Sequence, residues 1–192
     1  MIRGSKVGLR ARQESDLAVL HEELYNDVLT FARADGRAWR PASLPEHSGR
    51  KLLEPTDDLA MFSVVELATG ELAGEGLLWD IDLFQRSAHL GLSLRPAFRG
   101  RGLGSDLVRV LCTYGFVIRG LRRLQVETLA DNDAMLTAAE RAGFRREGTL
   151  RRAAWVYGRE LDQVVLGMLH DEWEPEEGEV PAGGAAPARL SP

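Results

Sequence analysis

The sequence predicts a single mixed α/β domain, and three features carry that expectation. Two apolar stretches, Ala60 to Leu67 and Glu71 to Trp79, flank Ala68-Thr69-Gly70 as the arms of a hairpin. A strand-like run, Ser87 to Leu94, passes through a glycine-rich turn into the apolar-periodic stretch Leu107 to Ile118. Another strand-like run, Arg123 to Leu129, leads into a helix over Asp133 to Ala142 that stops at Gly143-Phe144. Strands and helices therefore interleave. A chain of 192 residues, 44% of them hydrophobic, buries one substantial core and not comfortably two.

From the start of the chain, Val7 to Arg12 alternates as a short strand, and Ser15-Asp16 then caps an apolar-periodic helix through Leu17, Leu20, Leu24 and Val28. Gly36, Trp39, Pro41 and Pro45 break that period, so Arg33 to Glu46 reads as a loop leading into a second short helix near His47 to Leu53. The end, Glu174 to Pro192, is rich in Pro, Gly, Ala and Glu and nearly devoid of large apolar residues. It cannot offset its ordering entropy and reads as a disordered tail, which places the domain at residues 1–173 and the tail at 174–192. No repeat of 20 to 50 residues is visible.

Composition narrows the function classes. A formal charge of -5 argues against nonspecific nucleic-acid binding, which needs a basic field. The lone Cys112 permits no internal disulfide, the residues before Leu17 show no secretory apolar core, and no apolar run approaches a membrane span. The cytoplasm is the expected compartment.

Positive charge is instead local, in Arg99-Gly100-Arg101-Gly102-Leu103-Gly104-Ser105. Glycines let the chain take up positive φ and pass close to a ligand, so backbone N–H groups converge at the start of the following helix. That is an anion cradle. Arg95, Arg99 and Arg101 add charge that suits a diphosphate. A triphosphate P-loop needs Lys and then Ser or Thr after its last glycine, but Ser105-Asp106 follow Gly104. A dinucleotide fingerprint is nearly met by Gly100, Gly102 and Ser105, with Glu127 at the distance of a ribose contact. A third pattern, R-x-x-G-x-G, is met in full by Arg99, Gly102 and Gly104, and it resembles the coenzyme A pyrophosphate loop of the GNAT N-acetyltransferases.

Two further stretches extend the resemblance. Arg123 to Leu129, Asp131-Asn132-Asp133-Ala134-Met135 and Ala139 to Phe144 are similar to the second acetyltransferase motif, in which an Asn at a strand end precedes a short helix closing in Gly-Phe. Glu147-Gly148-Thr149-Leu150-Arg151, with Gly158, Asp162 and Val164-Val165-Leu166, is similar to the ribosomal-protein N-terminal acetyltransferase branch. The likeness covers roughly residues 7–173 and is most specific between 89 and 151.

The resemblance implies the GNAT fold, a central, mostly antiparallel mixed sheet flanked by helices and splayed where the Leu92 to Leu94 strand parts from the Val126 strand. It implies that Arg99, Gly100, Arg101, Gly102, Leu103, Gly104 and Ser105 hold the pyrophosphate of acetyl-CoA. Leu92, Ser93 and Leu94 would pair with the pantetheine arm, and an N–H there would face the thioester oxygen. Asn132 would reach the same arm besides capping its helix. A homodimer belongs to the same inference. The alternatives are a noncatalytic acyl-CoA sensor and an NAD(P)-dependent reductase. The reductase fits poorly, because a dinucleotide fold normally opens with its fingerprint and here 98 residues precede the loop.

Acyl transfer from a thioester needs a neutral amine, a stabilised oxyanion and a tolerable thiolate leaving group. Direct attack needs neither a protein nucleophile nor a metal. Where relatives of the ribosomal-protein branch carry Glu in an A-E-x-G context, this chain has Ala88-His89-Leu90-Gly91, which makes His89 the expected base. Imidazole, with a reference pKa of about 6.5, accepts a proton at neutral pH without a large perturbation. Glu75 and Glu127 are the next candidates. Met135 stands where a thiolate-protonating Ser is common, so Tyr157 is the expected substitute, with Tyr114 more readily explained as core. The resemblance implies a primary amine as acceptor, on a small molecule or a peptide N-terminus. Its site is expected between Arg33 to Pro45 and the Asp80 to Arg86 turn, lined by Trp39 and Phe84, with Asp80 and Asp82 favouring a cation.

Overall fold

The computed structural model describes residues 1–41 and 56–175. Its elements are β1 (Ile2–Arg3), β2 (Val7–Arg10), α1 (Glu14–Leu20), α2 (Val28–Ala34), β3 (Leu59–Glu66), β4 (Leu72–Asp82), β5 (Ser87–Leu94), α3 (Leu103–Thr113), β6 (Arg123–Leu129), α4 (Asp133–Arg141), β7 (Arg145–Val156) and β8 (Arg159–Leu169). The strands form one sheet in the order β1-β2-β3-β4-β5-β6-β8-β7. Every neighbouring pair is antiparallel except β5–β6. That exception follows from connectivity, because the β5–α3–β6 crossover returns the chain in the direction it left.

Side-chain alternation along β4 divides the sheet into two faces. Toward one face, a Cβ on Gly76 would lie 3.1 Å from Leu107 and 3.2 Å from Leu111, so glycine lets α3 ride close on the strand. Leu78, Leu107, Leu111, Leu124, Leu166 and Met168 are fully buried in this main core. Toward the other face, Glu75 reaches the hydroxyl of Tyr25, and a smaller cluster of Leu20, Leu24, Tyr25 and Phe31 packs there. The expected hairpin is present, with Gly70 at φ 75° between β3 and β4.

The first helix departs from expectation. Gln13, not Ser15-Asp16, is its N-cap, and the chain then widens into a π-helical turn at His21–Tyr25 before α2 restarts with Asp27 as cap. The shift of the cap follows from Asp16. Its buried carboxylate accepts a two-pronged contact from Arg10 at 2.6 and 2.8 Å, the Gln13 N–H at 2.8 Å and the Ser63 hydroxyl at 2.7 Å. Arg10, still paired with Ser63, is the last residue of β2, which ends there rather than at Arg12. The helix expected near His47 to Leu53 and the tail beyond Pro175 lie outside the described residues.

The Asp16 knot gives the fold an acid-sensitive joint. Burial pushes the Asp16 carboxyl up, but the Arg10 guanidinium, the Gln13 N–H and Ser63 together outweigh it and lower the pKa to about 2. A folded-state value below the ordinary 3.8 means stability that is complete above the unfolded pKa and lost as pH falls through the folded one. The contribution is about 2 kcal/mol. Thermal melts should therefore show the wild-type midpoint dropping between roughly pH 5 and pH 2 more steeply than that of Asp16→Asn.

Candidate active site

The site begins where β5 and β6 part. They pair at three positions only, Ser87 with Arg123, Ala88 with Leu124 and His89 with Gln125. Beyond His89, β5 continues on β4 as far as Leu94 opposite Gly74, while β6 turns wholly to β8. The β6-facing edge of residues 90–94 is thereby left without a strand partner, and the expected splay at Leu92, Ser93 and Leu94 is where it was placed. An extended polar arm can complete such an edge.

At the mouth of this gap, Gly100 at φ 72° and Gly102 at φ 77° bend the chain through the left-handed region, and Gly102 becomes the N-cap of α3. A glycine offers no capping side chain, so the first-turn N–H groups at Leu103, Gly104 and Ser105 keep their donor capacity. Asp106, the acid of that turn, is buried and directed away. It accepts the N–H groups of Ser5 (3.1 Å), Lys6 (2.8 Å) and Val7 (2.8 Å) and the Ser5 hydroxyl (2.7 Å). That tie carries Lys6 to the loop, where its Nζ lies 3.0 Å from the place a Cβ on Gly102 would occupy. Nothing in the local sequence signals Lys6, because only the fold brings it to the turn.

Two of the three arginines are engaged within the fold. Arg101 pairs with Glu66 at 2.7 Å and lies over the Phe98 ring at 5.3 Å. Arg95 pairs with Glu23 at 2.5 Å, donates to the Leu72 carbonyl and lies 5.2 Å from the centre of the same ring. Both tie the loop to its surroundings. Arg99 stays exposed and donates its Nε to the Leu94 carbonyl at 2.9 Å. Arg99 and Lys6 thus flank the helix-start amides, while Arg95 and Arg101 are ion-paired to Glu23 and Glu66.

Asn132 caps α4 as its sequence position requires. Its side chain accepts the Met135 N–H at 3.3 Å and donates to Thr128 Oγ1 at 3.0 Å. His89 is half-buried, stacked on Trp79 with ring centroids 4.2 Å apart, between Asp80 and Glu127. Glu75 is buried and held by Arg12 and by Tyr25, two residues sequence reasoning did not single out, so it serves as a tie between the first helices and the sheet. Tyr157 sits at the β7–β8 turn with φ 45° and 68% exposure. The hairpin has by then run past the end of β6, whose last partner is Gln163, so the fold does not bring Tyr157 beside His89. Tyr114 packs edge-on against Phe62 and receives Arg119 at its hydroxyl.

Trp39 donates its indole N–H to the Tyr25 carbonyl at 3.0 Å and packs on the smaller cluster, so it pins the loop. Phe84 is 90% exposed on a turn that Asp82 closes by accepting the N–H groups of Phe84 and Gln85. Of that turn, Asp80 alone faces His89. The part of the Arg33 to Pro45 segment beyond Pro41 lies outside the described residues. Among the described residues no helix is long and apolar enough to cross a membrane.

Comparison with known proteins agrees with this geometry. The family profile described as an acetyltransferase (GNAT) domain matches residues 6–145. The putative ribosomal N-acetyltransferase YdaF of Bacillus subtilis (strain 168) is 33% identical over 110 residues, which span 57% of this chain and 60% of that protein. The crystal structure of spermidine N-acetyltransferase from Vibrio cholerae in complex with CoA and spermine superposes with a TM-score of 0.77 at 23% identity, covering 88% of this chain and 98% of that one. A structure of RimL, a ribosomal L7/L12 α-N-protein acetyltransferase in complex with coenzyme A, gives 0.75 at 24%, covering 88% and 96%.

Proposed function

The chain belongs to the GNAT acetyltransferase family, and from that premise we propose that it transfers the acetyl group of acetyl-CoA directly to a primary amine. The observation that carries the reading is the coincidence of two openings. The unpartnered edge of residues 90–94 points toward the glycine-bent N-terminus of α3. Main-chain amides of Leu103, Gly104 and Ser105, with Lys6 and Arg99 beside them, suit the pyrophosphate. The edge at Ser93 and Leu94 suits the pantetheine, and Asn132, just beyond the end of β6, would reach the same arm.

Acetyl-CoA brings the activated thioester, and the chain supplies position and proton management. The Leu94 main-chain N–H, on the edge away from β4, would face the thioester oxygen and stabilise charge as it develops. The amine nitrogen bonds to the carbonyl carbon, the carbon–sulfur bond breaks and the sulfur takes up a proton from solvent. The proton lost by the amine passes to His89, which lies at the last paired level before the gap. An α-amine, with a reference pKa of about 7.7–8.0, surrenders that proton more cheaply than a lysine side chain at about 10.4. A Vibrio cholerae relative takes spermidine and RimL a protein N-terminus, and both acceptor classes fall within the proposal. Cytoplasmic placement and a homodimer complete the reading, and sedimentation measures the latter.

Calorimetric titration tests the cofactor. Acetyl-CoA and CoA should bind with micromolar dissociation constants, about -8 kcal/mol, and NADPH should not bind. Thiol release against a panel of amines then separates an enzyme from an acyl-CoA sensor, which would bind equally well and release nothing.

A further inference from the structure

His89 is enclosed in a way that a merely packed histidine does not require. Its Nδ1 is buried without a hydrogen-bond partner and faces Glu127 Oε1 at 3.7 Å, while Nε2 faces Asp80 Oδ2 at 3.9 Å. The two carboxylates differ in how they are held. Glu127 is the end of a braced row, since Gln125 Nε2 donates to it at 2.8 Å, Arg123 donates to Gln125 Oε1 at 3.0 Å, and Glu147 fixes Arg123 at 2.7 Å. That row crosses β8 at Gly167, where any Cβ would fall 2.2 Å from Glu147 Oε1 and 2.7 Å from Arg123 Nη1. Asp80 is 77% exposed at its side chain and sits in a register shift of β4 between Trp79 and Asp82, in the left-handed region at φ 51°. Bulges of this kind re-aim a side chain, and backbone held in a sparsely populated region is concentrated at functional sites.

We infer that Asp80, His89 and Glu127 work as one unit, in which Glu127 holds the Nδ1 proton of His89 and Asp80 draws a cationic primary amine to Nε2. The inference rests on the acetyltransferase reading and adds to it the atom that takes the proton and the charge of the acceptor. With hydrogen on Nδ1, the Nε2 lone pair points toward Asp80. An alkylammonium group beside Asp80 donates one N–H to the carboxylate and gives up another proton to Nε2, which leaves a neutral amine. The resulting imidazolium lies between two carboxylates and against the face of Trp79. Asp80, open to water, then passes the proton out. Glu127 is a positioning residue in this scheme, and Asp80 sets specificity for cations over neutral aromatic amines.

Nitrogen-15 NMR of the histidine side chains in the full-length protein tests both halves, with His89→Gln assigning the signals. In mildly alkaline buffer the neutral His89 ring should carry hydrogen on Nδ1, and Glu127→Gln should move it to Nε2. Wild-type hydrogen on Nε2, or a tautomer indifferent to Glu127→Gln, overturns the positioning role. Titrating the CoA-loaded protein with spermidine should shift the His89 Nε2 resonance in the wild type, with at least a tenfold weaker response in Asp80→Asn. No shift in the wild type, or an equal one in Asp80→Asn, overturns the docking role. Absence of thiol release with every amine would instead defeat the acetyltransferase reading, and the tautomer result does not depend on it.

Discussion

Gly104→Trp should abolish acetyl-CoA binding while leaving the fold intact. Gly104 lies in the first turn of α3, and a Cβ there would meet only Leu94 Cδ1, at the ordinary distance of 3.9 Å. A Cβ is therefore accommodated at ordinary van der Waals distance. An indole at that point nonetheless covers the N–H groups at the helix start, which are the donors the pyrophosphate needs. Calorimetry should show the dissociation constant moving from the micromolar range to beyond about 1 mM, a loss of at least about 4 kcal/mol, with a melting temperature within a few degrees of wild type. Gly104→Ala, which leaves the amides open, should retain most of the affinity. A change at Gly102 would not be as informative, because its φ of 77° and the Lys6 ammonium above it confound strain with lost binding. Retained binding in Gly104→Trp would place the cofactor elsewhere and overturn the loop assignment.

What was legible in the sequence was mostly local. The glycine bend, the strand before it and the helix after it occupy consecutive residues, and φ preference and apolar period act over that range. Asn132 was legible for the same reason, since a cap acts on a residue three positions ahead. The arginines were not. Arg101 lies in the same turn as Arg99 and Arg95 just before it, but Glu23 and Glu66, brought in by the π-helical turn and β3, pair with them. The broken first helix was hidden likewise. Leu17, Leu20, Leu24 and Val28 keep helical spacing throughout, while the widening at His21–Tyr25 accompanies long-range ties of Tyr25 to Glu75 and of Trp39 to the Tyr25 carbonyl. Such ties override local preference without leaving a mark in the window where that preference is read.

The second large effect belongs to His89. His89→Ala should lower kcat about 10²- to 10⁴-fold, the usual range for a lost general base, and should leave the calorimetric affinity for CoA unchanged. The separation follows from position. His89 lies at the last β5–β6 pair, on the sheet face that carries Glu75, whereas the helix-start amides lie beyond Leu94 at the far end of the same strand. Removing the imidazole also uncovers the Trp79 face and leaves Glu127 and Asp80 without the group between them, so some loss of stability accompanies the variant. His89→Gln, which keeps a polar side chain of similar reach, limits that loss and should be equally inactive. Thiol-release kinetics over roughly pH 6 to 9 decide the matter. Full turnover by both variants across that range would mean that ordered water or another group removes the proton, and the imidazole would then be only a packed neighbour of Trp79.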